Sequence, residues 1–182
     1  VLIYRITGSP NHRITGSQNH RITESPNHRI TNYNFMENIT IRHATEADFP
    51  RLLELFAEFA EYEKLPELMV NTPERMKSEA GFLHCFVAVD PGGILIGYAT
   101  WFFTYFTWSG KGIYMDDLYV QPGYRGSGTG TRLLEAVREL GKSAGCHLMR
   151  WQVSDWNTSA IGFYESLGAK RDMVNRNCDL QL

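Results

Sequence analysis

Residues 118–134 read Leu-Tyr-Val-Gln-Pro-Gly-Tyr-Arg-Gly-Ser-Gly-Thr-Gly-Thr-Arg-Leu-Leu. A strand ends, a loop with Arg125, Gly126, Gly128 and Gly130 follows, and an apolar helix begins. Glycines in such a loop let backbone N–H groups approach an anion with no Cβ in the way. The helix N-terminus behind them adds partial positive charge. The ligand this chemistry fits is a phosphate or pyrophosphate, and the plain alternative is a flexible surface loop.

Two phosphate-binding patterns are excluded. A P-loop needs Gly-Lys-Ser/Thr, and no lysine stands in this loop. A Rossmann site sits after the first strand of a βαβ unit, whereas this loop follows four expected strands.

Those strands and their neighbours are read outward from the loop. Before it, Gly112–Val120 and Ile94–Tyr105 are rich in aromatic and β-branched residues, and Cys85–Val89 is a buried-type strand. Asp90-Pro91-Gly92-Gly93 is the turn of a hairpin. Further upstream, Asn38–His43 alternates Ile39 and Ile41 with polar residues. Thr45-Glu46-Ala47-Asp48 has the form of a capping box that opens a helix to about Tyr62. Thr72-Pro73 opens a short helix to Glu79. After the loop come a helix over Thr131–Ala144, a strand over His147–Val153 and a helix over Thr158–Leu167. Two last strands, Ala169–Met173 and Cys178–Leu182, complete the expectation. The pattern predicts an α/β domain of mixed α+β type, a mixed sheet with packed helices.

Composition limits the classes of function. The 182 residues suffice for one domain with a core. Apolar residues at 43% and charged residues at 21% exclude a disordered chain. Lysine and arginine total 18 against 20 acidic residues, so bulk positive charge for nucleic-acid binding is missing. No apolar run approaches a membrane span. Cys85, Cys146 and Cys178 form no CxxC pair and read as reduced thiols of a cytoplasmic protein, neither a disulfide frame nor a zinc site.

The first 35 residues read differently. Residues 5–12, 13–20 and 21–28 are near-copies of one octapeptide, and 29–32 begin a fourth. The octanucleotide CGAATCAC, repeated three times, translates as residues 21–28. The segment is therefore expected to be a translated short DNA repeat and a disordered tail, with the domain at 36–182 and a start at Met36. A solenoid needs longer repeats with a buried face, and His12, His20 and His28 have nothing to fix a metal geometry. Four arginines against Glu24 give the tail +3, which leaves −5 on the remainder, a balance that favours cationic substrates.

Two motifs resemble the GNAT acetyltransferase family. Arg125-Gly126-Ser127-Gly128-Thr129-Gly130 matches its pyrophosphate loop, and Asn157, Ala160, Phe163, Tyr164, Gly168 and Ala169 match its later signature. Within the family the chain is most similar to the diamine (spermidine/spermine-type) acetyltransferases. Phe103-Thr104-Tyr105, Trp108, Gly110-Lys111, Tyr114–Val120, Tyr62-Glu63 and Asp155-Trp156-Asn157 carry that likeness. The resemblance implies a GNAT fold, whose central sheet is mixed and largely antiparallel with helices on both faces. It also implies acetyl transfer from acetyl-CoA to a primary amine of a small cationic molecule, without a metal. A homodimer, with neither nucleic acid nor membrane as partner, is expected.

By position, Leu118, Tyr119 and Val120 would meet the pantetheine arm through their backbone. Arg125, Gly126, Ser127, Gly128, Thr129, Gly130 and Thr131 would hold the pyrophosphate, and Asn157 and Ala160 the coenzyme arm. Tyr164 would protonate the departing thiolate. Asp116 would accept the amine's proton through water, since it is one methylene shorter than the family's Glu; Glu63 acting through water is the alternative base. Tyr62, Glu63, Trp108, Asp117 and Trp151 would line the amine site, with plain packing open for the two tryptophans. Asp116 and Asp117, adjacent on a strand, are expected to face opposite sides. The acid expected two residues before the Trp in polyamine acetylators is Phe106 here. Two other readings remain: a protein or peptide N-acetyltransferase, and a non-catalytic acyl-CoA sensor.

Overall fold

The computed structural model describes residues 38–173. The repeat tail 1–35, the start at Met36 and the strand expected over Cys178–Leu182 lie outside the described residues. In chain order the elements are β1 (Thr40–His43), α1 (Phe49–Tyr62), α2 (Pro73–Ser78), β2 (Cys85–Val89), β3 (Leu95–Phe106), β4 (Gly110–Val120), α3 (Thr129–Ser143), β5 (Leu148–Arg150) and α4 (Thr158–Ser166). Short 3-10 turns fall at Glu46–Asp48, Pro66–Leu68 and Pro122–Tyr124. The sheet order is β1-β2-β3-β4-β5, antiparallel throughout except for the parallel β4–β5 pair. This is the mixed, largely antiparallel sheet that the sequence predicts.

Local chemistry sets the elements around the first helix. The Asp48 carboxylate accepts from the Thr45 amide at 2.8 Å and from Arg42 at 2.7 and 2.8 Å. The Arg42 hydrogen bond holds the Asp48 carboxyl down at about 2. Thr72 caps α2 by accepting from the Arg75 amide at 3.2 Å. Asp90 closes the β2–β3 turn by accepting from the Ile94 amide at 2.9 Å.

Strand alternation sends successive side chains to two cores. Val87, Tyr98 and Tyr119 meet Phe49, Leu52 and Leu55 of α1 on one face. Ala88, Ala99 and Met115 meet Leu133, Leu134 and Val137 of α3 on the other. Helices therefore cover both faces. At Gly141 a Cβ would come within 2.8 Å of Ile113 Cγ2, so glycine there lets α3 lie close on β4.

Three expectations need correction. β5 is three residues long, not the seven of His147–Val153, and it pairs only with Gly112–Tyr114. The cause lies on β4. Ala99 opposes Leu118 and Trp101 opposes Met115, so both Asp116 and Asp117 face the single residue Thr100. Such a bulge bends and twists its strand, and beyond Tyr114 and Arg150 the two parallel strands part. Residues 169–172 are irregular instead of forming a strand. The Ala169 amide donates to the Tyr164 carbonyl at 3.1 Å and closes α4, while the residues after it are polar and exposed. Finally, α3 begins at Thr129, two residues early, so the glycine loop runs directly into its first turn.

Candidate active site

The parting of β4 from β5 opens a strand edge. Gln121 N–H donates to Ile96 C=O at 2.9 Å. In the antiparallel alternation Gln121 and Tyr119 then bond to β3, while Leu118 and Val120 turn their N–H and C=O the other way. That side is where β5 has left, so an extended ligand can pair there as an added strand. The Val120 carbonyl is already met by Arg125 Nε at 2.8 Å. Tyr119 is committed elsewhere: its backbone pairs with Tyr98, and its hydroxyl donates to Glu58 at 3.1 Å.

The glycine loop continues from this edge. Gly126 (φ +74) and Gly128 (φ +83) hold the left-handed conformation that other residues rarely adopt, and a Cβ on either would meet open space. The Tyr124 and Arg125 amides close the 3-10 turn, and the Arg132 amide is the first to bond within α3. Between them, the amides of residues 126–131 have no backbone acceptor among the described residues. The Ser127 hydroxyl donates to the Tyr124 carbonyl at 2.6 Å and lies 2.7 Å from that of Thr129, which fixes the loop from within. A row of free N–H groups at a helix start fits a diphosphate.

The acids lie at the bulge. Asp116 is exposed, whereas Asp117 is half-buried. Partial desolvation at the bulge raises both carboxyls above the ordinary range, and Asp117, the more enclosed, reaches about 7 with the charges of Asp116 and Glu63 adding to the effect. Tyr164, on α4, has its hydroxyl pKa pushed up by burial and then by the charges of Asp117 and Glu63. The tyrosine thus shares its electrostatic surroundings with Asp117 and Glu63. Trp151 packs against Tyr164 with ring centroids 5.1 Å apart.

Three consecutive residues at the end of α1 grip the segment before α4. The Tyr62 hydroxyl donates to Asn157 Oδ1 at 3.3 Å. Ser154 Oγ donates to Glu63 Oε2 at 2.6 Å. Lys64 Nζ lies 4.8 Å above the Trp156 ring. Asn157 Oδ1 also accepts from the Ala160 amide at 3.1 Å as the N-cap of α4, so that amide is occupied. The Arg125 guanidinium stacks over the Tyr62 ring at 4.5 Å.

Trp108 is not brought to this group. It stands fully exposed in the β3–β4 turn, with residues 110–115 of β4 between it and the bulge. Residue spacing did not reveal Thr100, Ser154, Lys64 or Glu58. Each acts through a partner distant in sequence, such as Gln121 Nε2, which donates to the Glu58 carboxylate at 3.0 and 2.9 Å. Lys64 and Ser154 leave a local trace in adjoining Tyr62-Glu63 and Asp155-Trp156-Asn157; Thr100 and Glu58 leave none. Among the described residues no cluster of His, Cys, Asp and Glu could hold a metal ion, and no helix is long and apolar enough to cross a membrane.

Comparison with known proteins gives the family and the fold. The model of the Acetyltransferase (GNAT) family matches residues 49–169. Thialysine N-epsilon-acetyltransferase of Sus scrofa is 38% identical over 146 residues, covering 74% of this chain and 86% of that protein. The Homo sapiens spermidine/spermine N(1)-acetyltransferase-like protein 1 is 32% identical over 145 residues, 74% of this chain and 21% of that longer one. Among solved structures, an aminoglycoside N-acetyltransferase in complex with CoA superposes with a TM-score of 0.61 at 20% identity, covering 77% of this chain and 95% of that one. That last likeness concerns the fold.

Proposed function

From the premise that this chain belongs to the GNAT acetyltransferase family, we propose that it transfers the acetyl group of acetyl-CoA to a primary amine of a small cationic molecule, by direct attack in a ternary complex. The carrying observation is the row of free amides over 126–131 beside the strand edge that β5 leaves open, with Tyr62 and Glu63 bonded to the segment that leads into the Tyr164 helix.

Each group has a task in this reading. The amides of 126–131 hold the diphosphate, and Leu118 with the Val120 N–H pairs with the extended arm. Asp116, Asp117 and Glu63 attract the cationic amine. An alkylamine of pKa about 10.4 must shed its proton before it attacks, which at pH 7 costs about 4.6 kcal/mol. We assign the proton's acceptor to Asp117, through water, in place of the Asp116 expected from position. Asp117, like Glu63, is a carboxyl whose charge acts on Tyr164, and its pKa of about 7 suits a base working near neutrality. The amine nitrogen bonds to the thioester carbon, the C–S bond breaks, Tyr164 gives its hydroxyl proton to the departing sulfur, and the nitrogen's second proton returns to Tyr164 to leave the neutral amide. A second ammonium that does not react, as on a diamine, offsets the two negative charges that raise the Tyr164 pKa and so improves the tyrosine as a donor.

The same reading makes the protein a cytoplasmic homodimer. Its thiols fit a reducing compartment, with Cys85 buried and its pKa pushed up to about 12. Phe103, Tyr105 and Trp108 expose aromatic surface at the hairpin end, a face for the second copy.

The test is thiol release from acetyl-CoA against spermidine, putrescine, thialysine, lysine and a lysine-bearing peptide. Release with a small amine supports the reading and names the substrate class. Release with the peptide alone would move the acceptor to proteins. Coenzyme binding without release would favour a sensor.

A further inference from the structure

The helix that carries Tyr164 is weakly seated. No residue of α4 is fully buried, and its start is held by the α1 end through the Tyr62–Asn157, Glu63–Ser154 and Lys64–Trp156 contacts. Of these three gripping residues, Tyr62 also touches the coenzyme loop, since Arg125 stacks over its ring at 4.5 Å. Arg125 is itself tied to the strand edge through the Val120 carbonyl. One tyrosine therefore contacts the loop with its ring and the cap of α4 with its hydroxyl.

We propose that Tyr62 is a positioning residue that couples occupation of the glycine loop to the seating of the Tyr164 helix. This rests on the function proposed above and deepens it. An anion in the loop fixes Arg125, and the guanidinium fixes the ring on which it stacks. A fixed ring holds its hydroxyl at Asn157 Oδ1, and the same oxygen caps α4 through the Ala160 amide. Tyr164 is brought to its working position only when the loop is filled. Coupling of this kind is reciprocal, so the amine and the coenzyme each tighten the other's binding, and the amine site is best formed after the coenzyme has bound.

Two variants separate the two contacts. Tyr62→Phe keeps the ring beneath Arg125 and removes the bond to Asn157; Tyr62→Leu removes both. Three readouts apply: acetyl-CoA affinity by calorimetry, kcat and KM for the best amine, and amide hydrogen exchange over residues 158–166 with and without acetyl-CoA. In the wild type, acetyl-CoA is expected to slow exchange in α4 by about fivefold or more. Tyr62→Phe should bind acetyl-CoA within about twofold of wild type yet lose that slowing, and its kcat should fall by about tenfold. Tyr62→Leu should also weaken acetyl-CoA binding by about fivefold. Equal slowing of exchange in Tyr62→Phe and wild type would overturn the proposal. So would a rise in amine KM with kcat unchanged, which would make Tyr62 merely part of the amine pocket. Equal acetyl-CoA affinity in the Leu and Phe variants would remove the Arg125 contact from the path. If the wild type acetylates no amine, the proposed function fails on that assay, while calorimetry and exchange still decide the coupling.

Discussion

The backbone amide of Asp117 donates to the Thr100 hydroxyl at 3.0 Å, where a regular ladder would offer a carbonyl. A side chain of β3 thereby satisfies the extra residue of the β4 bulge. Thr100 is 9% exposed, so an unmatched amide there would have little water to turn to. Thr100→Val should lower stability by about 1–3 kcal/mol and reduce turnover by disturbing both acids. Thr100→Ser should restore most of each. Chemical denaturation beside kcat measurement checks this, and a stable, fully active valine variant would mean that the bulge does not depend on the hydroxyl.

Asp117 makes a pH prediction with a definite sign. Its pKa is raised from 3.8 to about 7, so the folded state keeps a proton that the unfolded state loses. Stability then falls as pH rises from about 4 to about 7, by up to about 4 kcal/mol if the shift is fully expressed. Asp117→Asn should raise Tm at pH 8 and leave it unchanged at pH 3.5. In catalysis kcat/KM should climb through about pH 7, and this limb should vanish in Asp117→Asn. A limb that survives there but disappears in Asp116→Asn would return the base to Asp116.

Tyr164 should matter without being indispensable. Its hydroxyl is held well above the usual range by burial and by Asp117 and Glu63, so it stays protonated at every working pH. A thiolate with a pKa of about 8.5 is already a fair leaving group. Tyr164→Phe is expected to slow kcat by about 10²-fold, with amine KM little changed and the pH limb near 7 retained. Unchanged kcat would remove the hydroxyl from the reaction.

Gly128 tests the loop by conformation alone. At φ +83 it begins α3, and a Cβ there has no atom within 4 Å. Gly128→Ala therefore introduces no clash, only a left-handed strain of about 1–2 kcal/mol. Acetyl-CoA affinity should fall about tenfold as the amides turn away, and Gly128→Asn, better tolerated at positive φ, should lose less stability. Calorimetric affinity and Tm, taken together, separate the strain from the loss of ligand amides.

What the sequence determined by itself was whatever rests on near neighbours. The Thr45–Asp48 box, the Thr72 cap, the Asp90 turn and the run of glycines after β4 form through contacts a few residues apart, so spacing reveals them. The helix with Asn157 at its start and Tyr164 on its second turn was legible for the same reason. Tertiary structure decided how far each of the two adjacent acids is withdrawn from water. Alternation alone placed Asp116 and Asp117 on opposite faces, but the bulge opposite Thr100 set how deeply each is buried, and burial sets the pKa. It also decided that β5 stops at Arg150, that Trp108 stands away from the bulge, and that Tyr62, 95 positions from Asn157, holds it by a hydrogen bond. These outcomes depend on where a strand bends and which loop then lies against it. They come from packing between segments distant along the chain, which local residue patterns do not encode.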